Sequence, residues 1–125
     1  MPTPDTTLLG RLRRLLGRGD DDGGLPTTVD AARAIELVRD GAALIDVRER
    51  SEWKTGHAPQ AVHAPLGELD KASRRLRAET PVVVMCASGM RSRTAAKQLR
   101  AAGFQATSLS GGIGAWQAAG GTVRR

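Results

Sequence analysis

The one cysteine of the chain, Cys86, lies in the stretch CASGMRS at residues 86–92. The apolar run PVVVM precedes it, and a helical pattern follows from about residue 91. A loop between a strand and a helix leaves backbone N–H groups without partners, and Gly89 allows the chain to turn there. We therefore expect these N–H groups, the start of the helix and Arg91 to stabilise a negative charge on the sulfur.

A cysteine in these surroundings is predicted to be a nucleophile. Thiols near cations and helix N-termini typically have pKa values below about 7.5, so much of the thiol would be ionised at neutral pH. The same N–H groups would hold an anionic reactant or product. We predict that Cys86 is catalytic and that the residues after it bind the anion: Ala87, Ser88, Gly89, Met90, Arg91 and Ser92. The alternative is a structural cysteine, since free cysteine packs like a small apolar residue.

The length of the loop separates two kinds of cysteine chemistry. Four residues lie between Cys86 and Arg91, whereas the cysteine phosphatases have one residue more at this place. A shorter loop forms a tighter ring of amides, which suits a thiolate with one added sulfur better than a tetrahedral phosphate or arsenate. A phosphatase or an arsenate reductase is therefore the less favoured alternative.

Short apolar runs that alternate with helical patterns predict an α/β fold with a parallel central sheet and helices on both faces. The predicted strands cover 43–47, 62–65, 82–86 and 104–109, and the later predicted helices cover 49–54, 67–78, 91–102 and 112–119. The first helix is predicted to begin with Thr28 as its N-cap and to end near Gly41. Ligands bind beyond the carboxyl ends of the strands in such sheets, and Cys86 is predicted to lie at one of these ends.

Charge and composition limit the possible partners. The net charge is +6, and the whole excess lies in residues 86–125, which contain six basic side chains and no acidic one. With two Trp, one Phe and no Tyr, the chain offers few surfaces on which bases could stack, so we expect no nucleic-acid partner and favour a small anion. One cysteine excludes an internal disulfide and a cysteine-ligated zinc site, and we expect neither a metal nor a cofactor.

The N-terminal residues 1–24 are assigned to a segment separate from the domain at 25–125. Leucines recur at helical spacing between arginines in residues 7–18, and the polar stretch GRGDDDGG follows as a linker. This amphipathic segment is expected to pack loosely on the domain or to make a weak contact with a membrane surface or a partner protein. Since the sequence shows no apolar run of about 18 residues and no signal-peptide pattern, the expected location is the cytoplasm.

Three segments, in the right order, resemble the signatures of a single-domain rhodanese, which is a sulfurtransferase. They are IDVRERSEWKTGHAPQAVHAPLGEL at 45–69, CASGMRS at 86–92 and GGIGAWQAAG at 111–120. The resemblance implies a rhodanese-like α/β fold in which Cys86 takes sulfane sulfur from thiosulfate or a persulfide donor and holds it as a persulfide.

The implied partners are a small anionic sulfur donor and an acceptor, either cyanide or a thiol. The chain has no second cysteine to resolve a persulfide, so the acceptor must come from outside. The alternative is a non-catalytic docking or sensing module of the same fold.

The resemblance also implies roles for residues outside the loop. Asp46 and Arg48 leave a strand end beside the active loop, where they either pair with each other or act on the site electrostatically. His57 is expected to hold a loop together rather than to act as a base, because an ionised thiolate needs none. Trp116 is expected to pack in the interior, and Gly112 to let the chain pass close to the loop.

Overall fold

Five short strands form one sheet in which every neighbouring pair is parallel. The computed structural model describes residues 24–125. In this range the strands follow the order β1-β5-β4-β2-β3. Their bounds are β1 Thr28–Val29, β2 Ala43–Asp46, β3 Val62–His63, β4 Val82–Met85 and β5 Ala106–Leu109. The predicted parallel sheet is confirmed, and β4, the strand before the cysteine, lies at its centre.

Helices cover both faces of this sheet, as the sequence predicts. Their bounds are α1 Ala31–Arg39, α2 Arg50–Trp53, α3 Leu69–Ser73, α4 Met90–Ala101 and α5 Gly112–Ala118, with a 3₁₀ turn at Leu66–Glu68. Because all strands are parallel, their carboxyl ends meet at one edge of the sheet, where the loops into α2, α4 and α5 begin.

The two faces of the sheet belong to two separate apolar cores. Successive side chains of a strand point to opposite faces. Met85 of β4 packs in a core with Leu37 of α1 and Trp116 of α5. Val84 packs in the other core with Cys86 and Leu99 of α4. Since β4 is buried on both faces, it reads in the sequence as an unbroken apolar run.

The first helix begins later than predicted, and Thr28 is not its cap. Thr28 pairs with Ser108 in the edge strand β1. The N-cap is Asp30, whose carboxylate accepts a hydrogen bond of 2.8 Å from the N–H of Arg33. The prediction for Thr28 was wrong because both residue types cap helices, and a strand of two residues is too short to show a periodic pattern.

The helix predicted at 67–78 is also shorter than expected. The chain forms the 3₁₀ turn and then α3, which ends at Ser73. The Ser73 hydroxyl donates to the carbonyl of Asp70 at 2.8 Å, a local hydrogen bond that competes with the helical ones. Strand β5 begins at Ala106 rather than at residue 104.

The amphipathic segment predicted at 7–18 lies outside the described residues, so its role and the domain boundary at residue 24 stay predictions. Within residues 24–125, no helix has both the length and the apolar character needed to cross a membrane.

The hydroxyl of Thr107 in β5 is buried and has no hydrogen-bond partner among residues 24–125. An unpaired buried hydroxyl costs about 1–3 kcal/mol. We expect Thr107→Val, which removes the hydroxyl and keeps the shape, to raise the free energy of unfolding by about 1 kcal/mol in urea denaturation. The control Thr107→Ser keeps the hydroxyl and loses a methyl group, so it should lower that free energy. A loss of stability in Thr107→Val would show that the hydroxyl is paired.

Candidate active site

Cys86 follows the central strand and lies at the carboxyl edge of the sheet. The loop after it is short, and α4 begins at Met90. The cysteine itself is 0% exposed, whereas Ala87, Ser88 and Met90 are exposed and form the rim around it. The site therefore combines a buried sulfur with an accessible loop.

Three hydrogen-bonding groups contact the sulfur. The N–H of Gly89 donates to Sγ at 3.0 Å and the N–H of Ser92 at 3.4 Å. The hydroxyl of Ser92 lies 3.5 Å from the same atom. Burial raises the pKa of the Cys86 thiol, but the Ser92 hydroxyl and the N–H groups of Ser92, Gly89 and Ser88 outweigh burial and hold this pKa below its ordinary value. The arrangement favours a thiolate.

Two glycines allow the backbone to form this loop. Gly89, the N-cap of α4, has a φ of +112°, a left-handed conformation that side chains with a Cβ resist. Gly112 at the start of α5 has a φ of +67°, and a Cβ there would collide with the carbonyl of Ala87 and lie 2.7 Å from that of Cys86. The N–H of Ile113 donates to the Cys86 carbonyl at 2.9 Å. The start of α5 thus holds the loop in place, as expected for Gly112.

The loop arginine is paired with a carboxylate that is not among the predicted site residues. Nη1 and Nη2 of Arg91 donate to the two carboxylate oxygens of Glu52 at 2.7 Å and 2.9 Å. The hydrogen bond from Arg91 lowers the pKa of Glu52 to about 2, and the same bond raises the pKa of Arg91. The cation expected beside the thiolate is therefore largely compensated. Since the two partners are 39 positions apart in the chain, no local spacing rule could have paired them.

A family comparison adds to this geometry. The model of the rhodanese-like domain matches residues 30–119. The chain belongs to the rhodanese-like domain family. The fold implied by the resemblance is thereby confirmed.

Relatives of this rhodanese-like domain include two proteins of Bacillus subtilis. The one named "Putative sulfurtransferase YtwF" is 40% identical over 74 residues, which cover 59% of this chain and 72% of that protein. The one named "Putative sulfur carrier protein YrkF" is 39% identical over 62 residues, which cover 50% of this chain and 34% of that protein. Among solved structures, the rhodanese-like domain of the Anabaena Alr3790 protein matches with a TM-score of 0.71 and 30% identity over 80% of each chain.

Asp46 and Arg48 form a buried ion pair in this rhodanese-like domain. Nη2 of Arg48 donates to an Asp46 oxygen at 2.8 Å, and its Nε lies 3.0 Å from both oxygens. The same guanidinium donates to the carbonyls of Glu52 and Gly56 at 3.2 Å and 2.7 Å. The pair thus holds the segment that presents Glu52 to the active loop. A direct electrostatic role of the pair in the reaction stays a prediction.

His57 contacts its own loop, in agreement with the structural interpretation. Its Nδ1 lies 3.0 Å from the carbonyl of Trp53. Its backbone N–H donates to the carbonyl of Arg124, and its own carbonyl accepts from the N–H of Arg124. The Trp53 ring stacks on the rings of His57 and His63, with centroid distances of 3.6 Å and 4.6 Å. Trp116 is 1% exposed and packs in the core, as predicted. These aromatic and imidazole groups stabilise the scaffold of the rhodanese-like domain.

Ser108 of β5 is a second residue of the site that was not predicted. Its hydroxyl is buried and lies 2.7 Å from the hydroxyl of Ser92, which in turn contacts the sulfur. The signal was a polar residue in a strand predicted to be buried, because such a residue needs a hydrogen-bond partner. Of the predicted anion-binding residues, the structure brings Gly89 and Ser92 to the sulfur and Arg91 to Glu52.

The close approach of α5 gives a prediction for Gly112→Ala. The new Cβ would meet the Cys86 and Ala87 carbonyls in a left-handed backbone, so the free energy of unfolding should fall by about 2 kcal/mol or more. Urea denaturation followed by tryptophan fluorescence measures this loss. The matched control is Gly114→Ala in the same helix, where a Cβ meets no atom within 4 Å and stability should stay or rise by up to about 1 kcal/mol. Equal stability of the two variants would show that α5 does not hold the loop.

Proposed function

We propose that this protein is a sulfurtransferase that carries one sulfane sulfur on Cys86 as a persulfide. The observation that supports the proposal best is the set of three hydrogen-bonding groups on one sulfur, two backbone N–H groups and the Ser92 hydroxyl. These groups stabilise the thiolate, the form of cysteine that attacks another sulfur. Membership in the rhodanese-like domain family and a relative named as a sulfurtransferase support the same activity.

The first half-reaction loads the sulfur. The Cys86 thiolate attacks the outer sulfur of thiosulfate, the new S–S bond forms, and the S–S bond of the donor breaks. Sulfite leaves with the electron pair of that bond, and the enzyme holds a persulfide anion. With a persulfide donor the leaving group is a thiolate. No proton, oxidant or cofactor is required in either case.

The second half-reaction unloads the sulfur. Cyanide or an acceptor thiolate attacks the outer sulfur, forming thiocyanate or a new persulfide, and the Cys86 thiolate leaves. Because the chain has one cysteine, this acceptor comes from outside. A relative named as a sulfur carrier protein supports a thiol on another protein as one acceptor. A reducing compartment such as the cytoplasm would supply such thiols.

The loop is proposed to hold the donor by its backbone rather than by a free cation. Ala87, Ser88 and Met90 form the exposed rim where a donor would lie. The charge of Arg91 is shared with Glu52, so the site attracts a dianion less than an unpaired guanidinium would. This balance favours donors of lower charge over thiosulfate.

The proposed activity predicts a specific adduct. Treatment with thiosulfate should add one sulfur, about 32 Da, to Cys86 of the full chain, and mass spectrometry of the intact protein detects it. Cys86→Ser should abolish both the adduct and thiocyanate production, because a hydroxyl is a far weaker nucleophile. Absence of the adduct with thiosulfate and with persulfide donors would favour the non-catalytic module. Hydrolysis of an aryl phosphate would favour a phosphatase.

The pairing of Arg91 predicts that Glu52→Gln changes donor selectivity. Glutamine keeps the shape but leaves the guanidinium uncompensated, so the KM for dianionic thiosulfate should fall by about 3- to 5-fold. The KM for methanethiosulfonate, a monoanionic donor of similar shape, should fall less. Steady-state kinetics with both donors measures the difference.

The control for this substitution is Glu79→Gln, which changes the net charge equally. Glu79 is exposed and precedes β4, whereas the thiol lies at the opposite end of this strand. The ratio of the two KM values should therefore match that of the native protein. If the Glu52→Gln variant also kept the native ratio of the KM values for thiosulfate and methanethiosulfonate, the ion pair would have no part in donor choice.

A further inference from the structure

Two buried serines form a chain of hydroxyl groups that ends at the sulfur. The Oγ atoms of Ser108 on β5 and Ser92 on α4 are 2.7 Å apart, and Ser92 Oγ is 3.5 Å from Cys86 Sγ. All three residues are 0% exposed. Sixteen positions separate the two serines, so the tertiary fold and not the local chain brings them together.

The Ser92 hydroxyl has one proton and three neighbours. Besides the sulfur and Ser108, it contacts the carbonyl oxygen of Gly89 at 3.1 Å, which only accepts. When the thiol is protonated, the S–H donates to Ser92 Oγ, and Ser92 donates to Gly89. A thiolate has no proton to give, so the Ser92 hydroxyl, unlike the Ser92 backbone N–H, stabilises it only by turning its O–H to the sulfur.

This rotation of the Ser92 hydroxyl leaves no buried group of the site unpaired. The Gly89 carbonyl also accepts the N–H of Arg93 at 3.3 Å, so it keeps a partner when Ser92 turns away. In the part of the chain that the structure describes, Ser92 Oγ is the one hydrogen-bond partner of the Ser108 hydroxyl. A buried hydroxyl donates when it has an acceptor, so Ser108 donates to Ser92 in both states.

We propose that Ser108 is a positioning residue for the thiolate: it donates to Ser92 Oγ and thereby directs the proton of Ser92 to Cys86 Sγ whenever the sulfur is charged. A hydroxyl that accepts a hydrogen bond is polarised and donates a stronger one. The proposal rests on the sulfurtransferase function for its catalytic meaning. When the persulfide forms, the negative charge moves to the outer sulfur. The Ser92 hydroxyl then donates its hydrogen bond to the Gly89 carbonyl again.

The charged groups around the thiol do not provide this effect. Strand β5 and helix α5 contain no charged residue. The neighbouring strand β2 contributes Asp46, which is paired with Arg48. At the start of α4, Arg91 is paired with Glu52, and Arg93 is exposed at the rim of a cavity that Ser88 and Met90 also line. The hydroxyl chain is therefore the part of the surroundings that changes its hydrogen bonds with the charge of the sulfur.

The test measures ionisation of the thiol in the full chain by its ultraviolet thiolate absorbance as a function of pH. The chain has one cysteine and no tyrosine, so this absorbance is free of overlapping tyrosinate. Ser108→Ala should raise the midpoint of ionisation by about half a pH unit, and Ser92→Ala by about one unit. Thr107→Val, which removes the adjacent buried hydroxyl on the same strand, should leave it unchanged.

The double variant separates positioning from a general change in packing. If Ser108 acts through Ser92, Ser108→Ala should add no shift in the Ser92→Ala background. An unchanged midpoint in Ser108→Ala, or the same shift with and without Ser92, would overturn the proposal. Thermal unfolding of each variant checks that the fold is kept.

Ionisation does not depend on sulfur transfer, so the two proposals fail separately. A native protein that never forms the persulfide would refute the sulfurtransferase, while the midpoints would still test Ser108. Conversely, if the native protein forms the persulfide but the ionisation midpoint of the Ser108→Ala variant is unshifted, the role of Ser108 alone is refuted.

Discussion

The sulfur of Cys86 is buried, and burial by itself opposes a charge on it. Two backbone N–H groups oppose this effect by donating to the sulfur, and the hydroxyl of Ser92 lies beside the same atom and lowers the pKa of the thiol further. The loop after the cysteine depends on Gly89 in a left-handed conformation and on Gly112, whose missing side chain lets α5 lie against the carbonyls of the loop. The chemistry of the site thus rests on backbone geometry more than on side-chain charge.

The ionic groups of the site are arranged in pairs. Arg48 neutralises Asp46 in the interior and bonds to the carbonyls of Glu52 and Gly56. Glu52 in turn neutralises Arg91 of the active loop. Two ion pairs connected through one short segment therefore fix the loop and compensate the guanidinium of Arg91. The basic excess at residues 86–125 includes residues on the exposed surface, such as Arg93 and Lys97.

Features with local causes could be predicted from the sequence. The apolar run of β4, the cysteine after it and the glycine in the loop predict a cysteine at the carboxyl edge of a parallel sheet, which the structure confirms, and a nucleophilic role for it, which stays a prediction. The two-residue strand β1 could not be predicted, since its pairing with β5 depends on residues far along the chain. The same limit applies to Glu52 and Ser108, which reach the loop only through the fold.

Hydroxyl groups and a guanidinium stabilise an anion in different ways, and besides the backbone N–H groups it is a hydroxyl that contacts the sulfur. A fixed cation such as Arg91 attracts a charged sulfur and a charged donor alike, so it lowers the energy of the reactants as well as that of the transition state. A hydroxyl can turn: Ser92 has the Gly89 carbonyl as a second acceptor, which would take its hydrogen bond once the charge had left Sγ. With Arg91 held by Glu52, the Ser92 hydroxyl is the group at the sulfur that the proposed sulfur transfer would allow to change its hydrogen bond, while the backbone N–H groups stay in place.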